Sequence, residues 1–235
     1  MEKIFFIVNP RSANGSTRTW WPSVLPDLDK AGFIYDWSFT TGPYQAPSLA
    51  AEAIKKGYRT IVSVGGDGTV YEVLNGILVN QRLRHQNTVL GVWPRGTGSD
   101  LARTIGLPRE KDAMINMLQH GKAAAIDAGE CTFFNYCGEK VSRYFLNVAE
   151  AGLGGETVAR VNRTTKVFGG FLSFLWGALV SALIYQNRYM RIILDENEIV
   201  EGMHVLVACG NGRFFGGGME ICPQAIINDG YLDVI

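Results

Sequence analysis

Apolar runs alternate with segments of helical periodicity over the first half of the chain. Short runs rich in β-branched and aromatic residues cover 4–8, 34–39, 60–64 and 89–93. Between and after them, apolar residues recur at three- and four-residue spacing near 17–31, 46–56, 69–80, 99–105 and 110–120. Strands that alternate with helices predict a parallel sheet covered by helices on both faces.

The pattern changes after Gly121. Strand-like segments follow one another around 125–134, 141–149, 189–194, 203–209 and 231–235, with turn residues at 135–138 and 195–197. Such a run of strands predicts an antiparallel second domain. We therefore predict an α/β fold in two parts: a doubly wound parallel-sheet domain over 1–123, and a mainly antiparallel, β-sandwich-like domain over 124–235.

One segment interrupts the β pattern, because residues 167–187 carry no charged side chain. As a helix rising about 1.5 Å per residue, the segment is long enough to cross a bilayer. Its large apolar side chains form one stripe, and small residues such as Gly169 and Gly177 form the opposite face. A small-residue face fits closely against a sheet or against another helix in a membrane. We expect a buried helix, and leave open a helix whose edge meets lipid or a membrane span.

The run at 60–64 leads directly into Gly65-Gly66-Asp67-Gly68-Thr69, and a helical stretch follows. Glycines bring backbone N–H groups close to an anion, and a helix start adds unpaired N–H groups and a positive dipole end. This loop predicts a phosphate site. An acid beside phosphates implies a metal ion or an attacking hydroxyl, so Asp67 favours phosphoryl transfer over phosphate binding alone. The structural alternative is a capping box formed by Thr69 and Glu72.

Two further loops have the same arrangement. Residues 9–16 follow the first strand, and residues 94–100 follow the fourth; both loops are polar and contain glycine. In an open parallel sheet, loops of this kind gather at the carboxyl ends of the strands, where ligands bind. The three loops together predict one ligand site.

These motifs carry a resemblance that covers the length of the chain. The first domain contributes Asn9-Pro10, the GGDGT loop with Glu72 and Asn75-Gly76 behind it, and Pro94-x-Gly-Thr-Gly-x-Asp. The second contributes Asn211-Gly212, Gly216-Gly217-Gly218, Pro223-Gln224-Ala225 and the segment 229–234. The sequence resembles the diacylglycerol kinase catalytic-domain family, which includes bacterial diacylglycerol kinases, YegS-like lipid kinases, and sphingosine and ceramide kinases. NAD kinases share GGDGT alone, so the other motifs favour the lipid kinases.

The candidate site follows from the loops and from this resemblance. Gly65, Gly66, Gly68 and Thr69 would cradle phosphates, and Asp67 would be the catalytic residue, its carboxylate facing Mg²⁺ or the acceptor hydroxyl. The resemblance adds further nucleotide-binding residues, namely Asn9, Thr40, Glu72, Gly96 and Thr97. Thr40 is placed by its spacing to Ala46, so Thr41 stays an alternative.

Asp229 resembles the aspartate of the family's structural Mg²⁺ loop. In that loop one carboxylate and nearby backbone carbonyls bind the ion, and the carbonyls here would be those of Ile226 and Tyr231. Oxygen ligands suit this hard cation. The alternative is an ordinary Asp-Gly turn that leads into the strand at 231–235.

Two departures from the family pattern affect what the resemblance implies. The asparagine of the family's Gly-Thr-x-Asn-Asp loop is Ser99 here, which cannot present an amide. Family members also continue with further strands and a late acidic residue regarded as the proton acceptor, whereas this sequence stops at Ile235 inside an apparent strand. We therefore expect a second domain that is truncated at its C-terminus, and the activity of this chain alone stays open.

Composition narrows the classes of partner. The sequence has 22 basic and 22 acidic residues, so bulk electrostatics give no support for nucleic-acid binding. Its four cysteines, Cys131, Cys137, Cys209 and Cys222, show no C-x-x-C spacing, which favours reduced thiols in the cytoplasm. A hydrophobic content of 47% is enough for a sizeable core.

The leading prediction is a cytoplasmic, ATP- and Mg²⁺-dependent lipid kinase. It would phosphorylate a hydroxyl of a diacylglycerol-like or long-chain-base lipid at the membrane surface, with peripheral membrane association and a homodimer both left open. The alternatives are a phosphotransferase similar to NAD kinase with a soluble acceptor, and a non-catalytic lipid- or nucleotide-binding fragment.

Overall fold

The structure is a computed structural model that describes residues 2–84, 88–153, 155 and 185–235. Its N-terminal part contains a four-stranded sheet in the order β2-β1-β3-β4, in which every pair is parallel. The strands are β1 (Ile4–Val8), β2 (Tyr35–Phe39), β3 (Thr60–Gly65) and β4 (Val89–Pro94). The helices are α1 (Thr17–Lys30), α2 (Ala46–Lys55), α3 (Asp67–Arg84), α4 (Asp100–Thr104) and α5 (Lys111–His120). The prediction of a parallel-sheet α/β domain is confirmed.

Helices cover both faces of this sheet, and β1 shows why. Successive side chains of a strand point to opposite faces. Phe6 and Val8 therefore pack with side chains from α1 and α5, whereas Ile7 packs with side chains from α2 and α3. All three β1 side chains are fully buried, which accounts for the continuous apolar run that the sequence shows here.

Tryptophans dominate the core on the α1 side. The ring centroids of Trp20 and Trp21 lie 5.7 and 5.9 Å from that of Trp93, and the ring of Trp37 lies 6.3 Å from Trp21. The guanidinium of Arg95 lies 4.1 Å from the Trp20 ring centroid, within range of a cation–π contact. Arg95 belongs to the loop that follows β4, so this core extends to the carboxyl edge of the sheet.

The C-terminal part is rich in antiparallel β-structure. A three-stranded sheet has the order β13-β10-β7, and three hairpins pair β5 with β6, β8 with β9 and β11 with β12. The strands are β5 (Gly129–Phe134), β6 (Lys140–Phe145), β7 (Val148–Gly152), β8 (Arg188–Leu194), β9 (Glu198–His204), β10 (Leu206–Gly210), β11 (Phe214–Phe215), β12 (Met219–Glu220) and β13 (Asp233–Val234). The predicted antiparallel second part is confirmed.

Some element boundaries differ from the prediction. The single segment expected at 141–149 is two strands, because the chain breaks between β6 and β7 around Asn147, whose carbonyl accepts the N–H groups of Asn211 and Gly212. Helix α3 begins at Asp67, so Thr69 lies inside its first turn and donates its N–H to the Gly66 carbonyl. The capping-box alternative, in which Thr69 precedes the helix, is therefore wrong.

The apolar segment 167–187 lies outside the described residues except for its last three. Within the ranges that are described, no helix is long and apolar enough to cross a membrane. The four cysteines form no disulfide.

Helix α3 joins the two parts of the chain. Val70 and Leu74 on this helix share a buried cluster with Tyr144 and Leu146 of the second part. The side chain of Asn75, which is 8% exposed, donates to the Tyr144 carbonyl and accepts from the Tyr144 N–H, both at 2.9 Å. These contacts place the start of α3 beside the second part, which positions the site described next.

Candidate active site

The loops after β3 and β4 touch backbone to backbone. The N–H of Arg95 donates to the Gly65 carbonyl at 2.7 Å. A Cβ atom on Gly96 would lie 2.4 Å from the Gly66 Cα, and one on Gly65 would lie 2.4 Å from Thr69 Oγ1. A side chain at Gly96 would force the two loops apart, and one at Gly65 would displace the Thr69 side chain of its own loop, so the sequence needs glycine at both positions.

Gly68 is a contrasting case. A Cβ atom built on it meets nothing within 4 Å, and the residue is exposed in the first turn of α3. The first N–H groups of a helix have no partner within the helix, and the dipole there favours an anion. The start of α3 thus combines hydrogen-bond donors with open space, as a phosphate group requires.

The first loop reaches the same place. The Asn9 side chain donates through Nδ2 to Thr69 Oγ1 at 3.0 Å, and its backbone N–H donates to the Val64 carbonyl at 2.9 Å. Asn9 therefore ties the end of β1 to the glycine loop at 65–69. The structure brings together Asn9, the glycine loop at 65–69 and Gly96, which the sequence had assigned to one site.

The remaining predicted nucleotide residues border this group. The backbone N–H of Thr40 donates to the Val8 carbonyl at 2.9 Å, which places Thr40 at the same edge of the sheet. Thr41, the alternative, donates both its N–H and its hydroxyl to Gln45 Oε1. Glu72 lies one turn further along α3 and accepts the Tyr44 N–H at 3.3 Å. Thr97 is exposed on the second loop.

Asp67 binds the N-terminus of helix α4. Its Oδ2 accepts the Asp100 N–H and its Oδ1 accepts the Leu101 N–H, both at 3.1 Å. Asp67 therefore acts as a cap for a helix that is distant in sequence, a role that the motif alone did not suggest. A carboxylate has about four lone-pair positions, so these two bonds leave acceptor capacity for a ligand.

Asp100 is a site residue that sequence reasoning missed. It is 5% exposed, and it bonds to Arg103 at 2.6 Å and to the Gly217 N–H at 2.7 Å. Burial raises the pKa of its carboxyl, and the nearby charge of Asp67 adds to this, although the Gly217 and Arg103 bonds oppose it. In the sequence, Asp100 is the last residue of the second glycine loop. Because an acid at the start of a helix is usually a cap, the sequence carries no separate signal for a role in the site.

The carboxylates of Asp67 and Asp100 face the same point. A Cβ atom on Gly98 would lie 3.5 Å from Asp100 Oδ2, 3.6 Å from Asp67 Oδ2 and 3.2 Å from the Gly217 Cα. The glycine-rich segment 216–218 of the second part therefore meets the loop after β4, beside Asp67. Ser99 makes the turn between them, with a φ of +52° and its hydroxyl donating to the Gly96 carbonyl at 3.2 Å. Asparagine tolerates this left-handed conformation better than most residues, which gives a reason for the family's asparagine at this position.

A cleft of about 560 Å³ opens beside these two acids. Its polar end is formed by Asp67, Gly68, Thr97 and Asp100. Apolar side chains from both parts of the chain form its walls, among them Val70, Tyr71, Leu74, Phe145, Leu146 and Phe215. The cleft can therefore hold an apolar molecule with a polar group at one end, next to the start of α3.

The motif at 211–212 builds the second-part wall of the cleft. Asn211 is fully buried, and its side chain donates to the carbonyls of Asp127 and Leu146 at 2.9 and 2.8 Å. A Cβ atom on Gly212 would lie 2.0 Å from Asn147 Oδ1. The motif thus has a structural role: it fixes Asn147, which lines the cleft.

The predicted metal loop lies elsewhere in the second part. Asp229 Oδ1 accepts the Tyr231 N–H at 3.0 Å, and the Gly230 N–H, at a φ of +82°, donates to Asp127 Oδ2 at 2.7 Å. Ile226 and Tyr231 are largely exposed. The geometry is that of an Asx turn, and it sets the carboxylates of Asp229 and Asp127 against neighbouring residues of one turn, oxygen donors of the kind that Mg²⁺ accepts. The described residues contain no cluster of three or more His, Cys, Asp or Glu side chains suited to a metal, so the Mg²⁺ assignment stays a prediction.

Comparison with known proteins agrees with this architecture. Residues 3–131 match the diacylglycerol kinase catalytic domain, and residues 147–235 match the YegS C-terminal NAD kinase beta sandwich-like domain. A protein of Enterobacter sp. named "Probable lipid kinase YegS-like" is 28% identical over 97% of this chain and 72% of its own length. One of the same name from Pseudomonas putida is 31% identical over 90% of this chain and 67% of its own length.

Solved structures give the same picture. A crystal structure of a diacylglycerol kinase from Bacillus anthracis superposes with a TM-score of 0.71 at 26% identity, covering 99% of this chain and 72% of the other. The fold and the comparisons thus define a two-part kinase whose glycine loops lie at the carboxyl edge of a parallel sheet. The chain belongs to the diacylglycerol kinase catalytic-domain family and is a kinase of the YegS-like lipid kinase group.

Proposed function

We propose that the protein transfers the γ-phosphoryl group of ATP to a hydroxyl of a diacylglycerol-like or long-chain-base lipid. The observation that carries this proposal is the cleft, which has the helix start and two acids at one end and apolar walls beyond. A phosphoryl donor and an apolar acceptor could meet there with the reacting groups side by side. Positioning of this kind is the main task of a kinase.

The nucleotide would occupy the carboxyl edge of the parallel sheet. Gly65, Gly66, Gly68 and Thr69 would cradle its phosphates, supported by Asn9 through the bond to Thr69. Thr40, Glu72, Gly96 and Thr97 would surround the rest of the molecule. In this arrangement the loops contribute backbone N–H groups. The contact between Gly66 and Gly96 holds the loop after β3 and the loop after β4 in fixed positions relative to each other.

Asp67 would orient the acceptor hydroxyl or hold the Mg²⁺ that accompanies ATP. When bound, Mg²⁺ neutralises charge on the phosphates during transfer. Asp100 would help to position Asp67, since its backbone N–H donates a hydrogen bond to one carboxylate oxygen of Asp67. Asp229, with the carbonyls of Ile226 and Tyr231, would hold a second, structural Mg²⁺ in the second part.

The acceptor would be a lipid met at the membrane surface by a cytoplasmic protein that associates peripherally. The apolar walls formed by Val70, Leu74, Phe145 and Leu146 suit a hydrocarbon chain better than a soluble substrate. The balanced charge gives no support for a nucleic-acid partner. A homodimer stays a prediction.

The test is phosphate transfer from γ-labelled ATP to a total lipid extract, with NAD as the competing acceptor. We expect label in a lipid product with the wild-type chain, and none with Asp67→Asn. Label in NAD and in no lipid would contradict the proposal and favour the phosphotransferase similar to NAD kinase. ATP binding without transfer to either acceptor would favour a non-catalytic binding role for this chain.

A further inference from the structure

Tyr44 has an unusual backbone conformation in an exposed loop. It lies between β2 and α2 with a φ of +60°, and its side chain is 82% exposed. A bulky residue with a left-handed backbone is a genuine outlier. Strain of this kind persists only where the surrounding structure holds it, and it is concentrated at functional sites.

The loop around Tyr44 is held at both ends. At one end, Gln45 Oε1 accepts both the N–H and the hydroxyl of Thr41, which closes residues 41–45 into a compact turn. At the other, the Tyr44 N–H donates to Glu72 Oε1 at 3.3 Å, which joins the loop to helix α3. These bonds fix the backbone and leave the phenol ring free to project from it.

The position of the ring relates it to the proposed nucleotide site. Glu72 lies five residues beyond Asp67, about 7.5 Å along the helix axis at 1.5 Å per residue. A nucleotide whose phosphates sit at the start of α3 would carry its ribose and base over this stretch. Thr40, which is proposed to contact the same nucleotide, follows β2 at the carboxyl edge of the sheet and lies only four residues before Tyr44.

We propose that Tyr44 stacks on the base of the bound nucleotide and is a specificity-determining residue of this kinase. The inference rests on the proposed function, because it needs the phosphates at the start of α3. An aromatic ring stacks on the face of every base. Tyr44 therefore favours ligands that carry a base over polyphosphates that lack one, and it accepts different bases. The carboxylate of Glu72 lies beside Tyr44 as a hydrogen-bond acceptor.

The test measures binding by isothermal titration calorimetry on the full chain with Mg²⁺. The probes are ATP, GTP and inorganic tripolyphosphate, which lacks a base. The main variant is Tyr44→Asn, because asparagine tolerates a positive φ and so keeps the loop while removing the ring. Tyr44→Phe keeps the ring, and Tyr136→Asn serves as the matched control because Tyr136 is a fully exposed tyrosine in the turn between β5 and β6.

We expect Tyr44→Asn to weaken ATP and GTP binding about tenfold, the size of effect that loss of one base–aromatic stack produces. The affinity for tripolyphosphate should change less than about twofold, far less than the loss of about tenfold expected for ATP and GTP. Tyr44→Phe and Tyr136→Asn should both match the wild type. The melting temperature of Tyr44→Asn should not fall, since the strained ring-bearing residue is gone. Tyr44→Gly, which also suits this φ, repeats the measurement if the asparagine variant folds poorly.

Two results would overturn the inference while leaving the proposed function intact. One is an unchanged ATP affinity in Tyr44→Asn, and the other is an equal loss for ATP and tripolyphosphate, which would make the loop a structural support for the phosphate site. Failure of the wild-type chain to bind ATP would overturn the inference together with the proposed function.

Discussion

The carboxylate of Asp67 caps helix α4 through two hydrogen bonds, and it also lies where the proposed reaction needs an acid. The two roles are compatible because each carboxylate oxygen accepts one N–H and keeps a further lone pair for a metal ion or a hydroxyl. A single residue thus links the correct placement of α4 to the chemistry. Substitution at this position should therefore change stability as well as turnover.

The first prediction concerns Asp67→Asn. An amide presents one acceptor oxygen where two N–H groups converge, so we expect the free energy of unfolding to fall by about 0.5–2 kcal/mol, as for other lost caps. Phosphoryl transfer should fall to less than a tenth, which corresponds to a barrier at least about 1.4 kcal/mol higher. Urea unfolding and a transfer assay measure the two effects. Asp112→Asn, at an exposed position of α5, should leave transfer unchanged and shift the free energy of unfolding by less than about 0.5 kcal/mol. Lower stability with more than a tenth of the activity would restrict Asp67 to a structural role.

The second prediction concerns Glu150 on β7. Its Oε2 has no hydrogen-bond partner among the described residues, and burial raises the pKa of its carboxyl above the ordinary 4.5. The folded chain therefore holds this proton more tightly than the unfolded chain does. By linkage, the contribution of Glu150 to stability is complete below the ordinary pKa and is lost as the pH rises through the raised value.

Glu150→Gln removes this titration with little change in shape. Its melting temperature relative to the wild type should therefore increase steadily from about pH 4 to about pH 7. Glu52→Gln, at an exposed position of α2, is the matched control for removing one glutamate carboxylate. A difference that stays constant across this range, or that shrinks, would show that Glu150 titrates as it does in the unfolded chain.

At the scale of the elements, the third prediction compares an alanine substitution in each of the two glycine loops. In Gly96→Ala the new Cβ would lie 2.4 Å from the Gly66 backbone, so the loops must separate. We expect a loss of about 1–3 kcal/mol in the free energy of unfolding, typical of overpacking, together with weaker ATP binding.

Gly68→Ala has room for its methyl group, because nothing lies within 4 Å. Alanine in a helix should leave stability unchanged or raise it by up to about 1 kcal/mol. ATP binding should still weaken, since the methyl group occupies the space proposed for phosphate. Urea unfolding and calorimetry of both variants check this. Unchanged ATP affinity in Gly68→Ala would place the phosphates elsewhere.

The elements of the first part could be predicted closely from the sequence because each has one strong pattern. β1 has a continuous apolar run with buried side chains on both faces, and α2 has small apolar residues at helical spacing. The breaks between adjacent strands in the second part were missed, since the kink at Asn147 depends on bonds from residues 211 and 212, which are distant in sequence. The candidate site was predicted in part for the same reason. The glycine loops were recognisable as sequence motifs. The cap that Asp67 provides for α4 and the burial of Asp100 depend on which loops meet in the fold, and the sequence does not show this.

For the molecule as a whole, helix α3 connects the two parts. One of its sides packs on the parallel sheet, and another packs on β6 and shares the buried bonds between Asn75 and Tyr144. Since the cleft is lined by both parts, its shape depends on this connection. The two parts should therefore unfold together.

The fourth prediction tests this coupling with Asn75→Ala. The variant loses two buried hydrogen bonds across the junction, so the free energy of unfolding should fall by about 2–3 kcal/mol. Far-UV circular dichroism in urea should show one transition at a lower midpoint. Asn116→Ala, an exposed asparagine in helix α5, is the control. An unchanged midpoint would mean that the junction contributes little to folding.

The stacking of Arg95 on Trp20 has a practical consequence. The same residue donates its N–H to Gly65, so a movement of the phosphate loop is transmitted to an indole ring 4.1 Å from the guanidinium. Indole emission responds to a nearby cation, and the Trp20 ring contacts those of Trp21 and Trp93, which can exchange excitation with it. The protein thus carries its own fluorescent reporter, through which ligands of the glycine loops can be titrated without a label and before the acceptor lipid is identified.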